Sequence, residues 1–374
     1  MNVPKIRFSG FEEEWQENKL CDIARITMGQ SPNSENYTND SNDTLLIQGN
    51  ADLNNGKVIP RLFTKQVTKT CDKNDIIMTV RAPVGDIAIS DYNACIGRGV
   101  CSIKSSKFVY HYLDYLKMKD YWKKISKGST IDSITSDDIK SLLIKTPNKK
   151  EEEKIIKTID LINKKIELQS KKIEDLKLFK KGLHNQLFNE IDGEDYLLSD
   201  IAKFENGKGH ENIVDENGNY ILINSKFIST EGSVIKNCSE QLTPLYKDDI
   251  TMVMSDLPNG KALAKCYYIE FDNKYSLNQR ICRISIKDKE DFNPKYLFYT
   301  LNRNPYYLKF DDGVNQTNLK KDDILNINLN IPDKTIQDKN ANILTLIDKI
   351  INKELSKLDS LNSLKKGLMQ NMFV

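Results

Sequence analysis

Two stretches of the chain carry apolar residues at alternating steps of four and three, and the two stretches keep time with each other. Ile155, Ile159, Ile162, Ile166, Gln169, Ile173, Leu176, Lys180, Leu183 and Leu187 form one series; Asn340, Leu344, Ile347, Ile351, Glu354, Leu358, Leu361, Lys365, Leu368 and Met372 form the other. This spacing is the seam of a coiled coil. Its polar interruptions Gln169 and Lys180 recur as Glu354 and Lys365, because residues 139–188 and 324–373 align without a gap at an offset of 185. Pro147 and Pro332 stand before the two stretches, as expected where a helix starts after a turn. A helix over residues 151–188 would be about 57 Å long at about 1.5 Å per residue. That exceeds what one domain of this size needs, so burial of the two stripes against each other is favoured over each packing on its own globular domain. The halves follow one another head to tail, which predicts an antiparallel pair about a pseudo-twofold axis.

The remaining segments have a different rhythm. Short apolar runs alternate with Asn, Asp, Gly and Ser clusters, as at Leu45-Leu46-Ile47, Lys57-Val58-Ile59, Ile76-Ile77-Met78-Thr79-Val80, Ile87-Ala88-Ile89 and Val100-Cys101-Ser102-Ile103. These read as strands. One helix-like stretch, residues 108–124, closes the first segment, and residues 294–310 answer it in the second. Leu222-Ile223 answers Leu46-Ile47, Gly232 answers Gly56, Asp249-Ile250 answers Asp75-Ile76, and Ile281-Cys282 answers Val100-Cys101. The offset drifts before it settles, so insertions fall in the loops of a duplicated scaffold. The expected fold is α+β: two similar globular domains at residues 1–148 and 191–333, and two long helices at residues 149–190 and 334–374.

Composition narrows this picture. A chain of 374 residues is comfortable for two cores. No apolar run approaches a membrane span, and the first ten residues lack a signal-peptide stretch, so a cytoplasmic protein without membrane contact is expected. Seven cysteines without a paired C-x-x-C spacing read as buried free thiols, and three scattered histidines leave little material for a metal site. The net charge of +2 is uneven: in residues 191–333, 17 lysines and arginines face 23 aspartates and glutamates. That acidic half excludes a strong general polyanion binder; any nucleic-acid contact there needs a local patch or a partner.

Motif order adds a family. Pro4-Lys5-Ile6-Arg7-Phe8, Trp15 and Lys19-Leu20-Cys21-Asp22-Ile23 open the chain, and Leu198-Ser199-Asp200-Ile201-Ala202 restarts it. Asp75-Ile76-Ile77-Met78 leads to Arg81-Ala82-Pro83-Val84-Gly85, and Asn278-Gln279-Arg280-Ile281-Cys282 follows in the second half. Gly128-Ser129-Thr130, Asp137-Asp138-Ile139 and Pro147 lead into the first helix, as Gly313 to Pro332 lead into the second. Over essentially its whole length this order resembles the specificity subunit of type I restriction-modification enzymes. The resemblance implies two target-recognition domains, each reading half of a split double-stranded DNA site, with the helices setting the gap. It also implies two modification subunits carrying an S-adenosylmethionine-dependent adenine methyltransferase, and restriction subunits with ATP- and Mg-dependent translocation and nuclease activity. The chain itself would bind no cofactor or metal. One departure is plain: Ser255-Asp256-Leu257-Pro258-Asn259-Gly260 stands where the first half has Arg81 to Gly85, so that loop need not play one role in both domains.

Catalysis by the chain itself has little support. Asn304-Pro305-Tyr306-Tyr307 lacks the second proline of the N-P-P-Y loop of amino-methyltransferases, and no glycine-rich nucleotide loop exists. Glu152-Glu153-Lys154 sits at a helix start, where acidic residues complement the dipole. The eight arginines all lie outside the long helices. An arginine fork matches guanine edges and phosphates, which makes Arg81 and Arg98 the leading candidates for DNA contact, beside the reading that each merely pairs with a carboxylate. Arg61, Gln48, Asn50, Asn224, Lys226, Asn278, Gln279 and Arg280 complete the set. A bilobal scaffold for other proteins, with incidental DNA contact, is the competing function, and the acidic second domain is what sustains it.

Overall fold

The computed structural model describes residues 3–126, 133–189 and 192–374. Gly128-Ser129-Thr130 lies outside them. The chain forms two compact units, Met1–Lys171 with Leu355–Val374, and Lys172–Glu354. Each unit therefore holds one globular domain and a piece of both long helices.

In the first unit the strands Gln16–Lys19 and Leu143–Thr146 pair antiparallel, so the start and end of the globular segment meet. A six-stranded sheet runs in the order Arg25–Met28, Val100–Lys104, Ile76–Thr79, Ile87–Ile89, Lys57–Val58, Leu53–Asn54. Ile76–Thr79 is buried at every position, which is why Ile76, Ile77 and Met78 run on without alternation before the buried Thr79. A second sheet orders Tyr37–Thr38, Phe63–Thr64, Thr44–Ile47, Ala94–Ile96, Thr70–Cys71. In it Thr44–Ile47 and Ala94–Ile96 lie parallel, with Ile47 opposite Ile96.

The second unit repeats the plan with fewer strands. Glu194–Leu197 pairs with Asn328–Ile331. The main sheet orders Ala202–Asn206, Ile281–Ile286, Ile250–Val253, Cys266–Tyr268, and a smaller one orders Asn237–Cys238, Tyr220–Ile223, Tyr275–Leu277. Tyr220–Ile223 and Tyr275–Leu277 are again parallel, with Ile223 opposite Leu277. Where the first unit has the hairpin Leu53–Asn54 with Lys57–Val58, the second has a helix, Ser225–Ser229.

Both helix-like stretches that follow the sheets are broken. Residues 108–124 form two helices, Lys107–Met118 and Tyr121–Ser126, because Asp120 takes a left-handed φ of 52°. Residues 294–310 form Pro294–Leu301 and Pro305–Leu308, parted by Arg303 at φ 57° and by Pro305, which opens the second helix. The cysteine expectation also needs one correction. Six thiols are buried and free, but Cys21 is exposed, because Leu20 takes the inward position of the short helix Leu20–Ile23.

The long helices run over Lys149–Asn189 and Lys334–Met372. Ile155, Ile159, Ile162, Ile173, Leu344, Ile347 and Ile351 are buried, and Ile166, Leu176, Leu183, Leu358, Leu361 and Leu368 are half-buried. Burial of each aliphatic side chain is worth about 1.5–3 kcal/mol when complete. Within the second unit the two helix segments run antiparallel. The Asn340 amide donates to the Leu187 carbonyl at 2.9 Å, Lys180 Nζ meets Asp348 at 2.5 Å, and Lys172 meets the buried Glu354 at 3.3 Å. Within the first unit Ile155, Ile159, Met369, Met372 and Phe373 join the core of the globular domain with Trp15, Phe108 and Tyr112. Lys365 reaches Asp114 there at 3.0 Å.

Candidate nucleic-acid interface

In the first unit four backbone segments converge where the parallel strands end. Gly29 N–H donates to Val100 O at 3.0 Å, Gln30 N–H to Ile96 O at 2.9 Å, Gly97 N–H to Ile47 O at 2.8 Å, and Val80 N–H to Gly99 O at 2.9 Å. Two glycines make this crossing possible. A Cβ on Gly29 would collide with the Gly97 carbonyl, and one on Gly99 with the Gln48 carbonyl. Arg98 stands exposed between two buried glycines, and its N–H donates to Ser31 Oγ at 3.1 Å. Its side chain thus leaves a backbone that packing holds still, the arrangement a recognition residue requires.

Arg81 is exposed at the start of the neighbouring loop, and its backbone bridges Ser133. Gln48 lies beneath. Its N–H donates to Asp52 Oδ2 at 2.7 Å, while its Nε2 is buried and has no partner among the described residues. Asn50 and Arg61 are already engaged: the Asn50 amide donates to Asp86, and Arg61 Nη1 donates to Ala51 O at 2.9 Å and lies 3.9 Å from Asp52. They brace the turn beside Gln48.

The second unit builds the same corner from different residues. Gly207 N–H donates to Ile281 O at 3.0 Å, Lys208 N–H to Leu277 O at 3.2 Å, Asn278 N–H to Ile223 O at 3.1 Å, and Met254 N–H to Arg280 O at 3.0 Å. Gly207 repeats the role of Gly29, since a Cβ on it would collide with the Asn278 carbonyl. Arg280 is exposed, with a left-handed φ of 66°, and Lys226 is exposed nearby in sequence to the corner residue Asn224. Neither Arg98, Arg81, Arg280 nor Lys226 has a side-chain partner among the described residues.

Asn224 is a helix cap, its Oδ1 accepting from Phe227 N–H at 2.9 Å, and Gln279 donates to Glu211. Asn278 Oδ1 is buried without a partner among the described residues.

Sequence reasoning missed the residues that lock these corners. Buried His210 bonds the Lys208 carbonyl at 2.8 Å and Ser276 Oγ at 2.7 Å. In the first unit Thr68 does this work, donating to Gln30 O and lying 3.4 Å from Cys95 Sγ. Register alone could have found the pair, because Cys95 and Ser276 each precede the last residue of the equivalent strand. The Asn304 motif, by contrast, is structural: Asn304 Oδ1 accepts from Tyr306 N–H at 2.9 Å, and Tyr307 is buried with its hydroxyl donating to Ile324 O at 3.1 Å.

A duplicated domain, each copy holding a rigid corner that bears exposed cations and side-chain amides and each followed by a seam helix, defines a class of paired recognition proteins. The model of the type I restriction modification DNA specificity domain matches residues 12–178 and again residues 190–363, and the chain belongs to that family. A Methanocaldococcus jannaschii chain named for the MjaX specificity subunit of a type I restriction enzyme is 36% identical over 183 residues, 47% of this chain and 43% of that one. The chain spans about half the length of the curated relatives it matches. Among solved structures, the S subunit of a type I restriction-modification system from M. genitalium has a TM-score of 0.65 at 18% identity, over 100% of this chain and 99% of that one. A chain from a structure describing complex assembly and conformational transition of the type I R-M system has a TM-score of 0.59 at 15% identity, over 97% and 98%. These two share the fold.

Proposed function

We propose that this chain is the sequence-reading subunit of a type I restriction-modification complex, and that each globular domain reads one half of a bipartite duplex site. The observation that carries the reading is the repeated corner, in which the same four backbone crossings present Arg98 with Gln48 in one domain and Arg280 with Asn278 in the other. Exposed arginines on a fixed backbone suit guanine edges and phosphates, and side-chain amides suit adenine. The long helices contribute to both units, and in this reading they set the unread gap and dock two modification subunits. Adenine methylation with S-adenosylmethionine, and ATP- and Mg-dependent translocation and cleavage, belong to the partner subunits; the chain itself reads without reacting. No helix among the described residues is long and apolar enough to cross a membrane, which accords with action on DNA in the cytoplasm.

Methylome sequencing of cells expressing this chain with its modification subunits tests the reading. A split adenine-methylated motif is expected, and four residues added between Lys164 and Leu176 should lengthen its gap while leaving both halves unchanged. A contiguous motif, or no motif, would refute it.

A further inference from the structure

The loop that departs from its counterpart in the first domain has its own construction. Where Thr79 N–H donates to Asp86 O across the first loop, Val253 N–H donates to Lys265 O across a longer one. Leu257, at 69% exposure, projects from it, and Val314, at 76%, projects from the loop that follows Phe310. Such side chains on a mobile loop would be unremarked surface. These loops are braced.

Asp256 turns inward, its Oδ1 accepting from Leu257 N–H at 2.9 Å and its Oδ2 from Ala262 and Leu263 N–H at 2.6 and 3.0 Å. Asn259 ties the loops together, its N–H donating to Asp311 Oδ2 at 3.1 Å and its amide to Gly313 O at 3.2 Å. Asp312 Oδ1 accepts from Val314 and Asn315 N–H at 2.8 Å each, and these bonds hold its carboxyl down at about 2. Gln316 Nε2 donates to Ser255 Oγ at 2.7 Å, and Ser255–Asp256 pairs with Thr317–Asn318 at the base. Through Met254, the residue before Ser255, the loop that carries Leu257 is bonded to Arg280 of the corner. Two bare aliphatic side chains therefore stand on a stiff platform joined to the recognition corner, at the place where the first domain presents Arg81.

Building on the proposed DNA reading, we infer that Leu257 and Val314 form an apolar contact for the C5-methyl group of a thymine in the major groove of the second half-site. Aliphatic side chains distinguish thymine there because no other standard base offers a methyl group. A duplex is favoured over a protein partner because the platform continues into the corner that presents Arg280. The contact also gives the acidic domain a means of reading sequence without a large positive field.

The test uses the full chain assembled with its modification subunits and duplexes carrying the motif found by methylome sequencing, with each thymine of the second half-site replaced in turn by uracil. Uracil at one position should weaken binding by the wild-type complex about fourfold, the value of one buried methyl group. The same replacement should not affect a Leu257→Ala/Val314→Ala complex of unchanged melting temperature. Equal binding of every uracil duplex, or an undiminished uracil effect in the double variant, overturns the inference while leaving the DNA reading standing. Loss of subunit assembly in the double variant with the uracil effect intact assigns the platform to a protein and overturns it too. A wild-type complex that selects no sequence at all refutes both.

Discussion

Gly99 and Arg280 occupy the same place in the two corners, and they reach it by opposite routes. Both carbonyls accept the N–H that enters the variable loop, from Val80 and from Met254. Gly99 is there because its backbone passes against the Gln48 carbonyl, leaving no room for a Cβ. Arg280 has that room but takes a left-handed φ, a conformation that costs a non-glycine residue roughly 1 kcal/mol or more. The scaffold prescribes the hydrogen bond and leaves the side chain negotiable. Strain at a position that bears an exposed cation fits a residue kept for contact more than for stability.

The largest effect that can break this comparison is exchange of residues 1–148 for those of a relative with another target. One half of the methylated motif should change completely and the other not at all; a change in both halves would mean that the corners do not read independently. Next come the crossings. Gly99→Ala and Gly207→Ala should each lower stability by roughly 1–3 kcal/mol, since backbone must move to admit the Cβ, whereas Gly49→Ala, with open space around it, should be nearly silent in thermal melts.

A third comparison sets two basic residues beside the long helices, buried His111 and half-buried Lys295, against each other. His111, on Lys107–Met118, lies 3.0 Å from Asp160, which Lys107 also contacts at 2.7 Å; burial outweighs the carboxylate and pushes the imidazole down to about 4. Lys295 holds the equivalent place on Pro294–Leu301, 3.9 Å from the Tyr268 ring centre, and burial lowers its value as well. Because the folded imidazole titrates below its ordinary 6.5, the unfolded chain binds that proton more tightly. The stability His111 contributes is therefore full above about pH 6.5 and is lost as pH falls toward 4, on the order of 2–3 kcal/mol. Denaturant melts from pH 7 to pH 4 should show this slope and lose it in His111→Gln; an unchanged slope would place the sensitivity elsewhere.

The smallest predicted effect has two signs. Arg280→Gly should raise stability by about 1 kcal/mol by relieving the left-handed residue, and should weaken DNA binding with relaxed choice in the second half-site. A variant that melts higher and binds as well as wild type would show that Arg280 is not a contact.

Much of the scaffold was legible because it rests on local rules. The seam residues keep a fixed period over ten positions, and the buried strand Ile76–Thr79 has no polar residue before its last. The break at Asp120 was not legible, since an isolated left-handed residue inside an apolar-periodic stretch leaves little trace in composition, whereas Pro305 marks the second break in the sequence itself. The corner was half legible. Arg81 and Arg98 advertised themselves by flanking glycines and proline, but the cap role of Asn224, the tie from Gln279 to Glu211 and the lock of His210 on Ser276 depend on residues distant in sequence meeting across a strand end.

The charges set into the helix seam carry one last implication. Lys180 faces Asp348 and Lys172 faces Glu354 at one alignment of the helix segments. Sliding one helix past the other by a heptad would take Asp348 from Lys180 and set it against Ile173 or Leu187, which disfavours the shifted alignment. The seam within this unit is thus keyed: purely greasy surfaces would tolerate slippage, whereas ionic teeth favour a single setting.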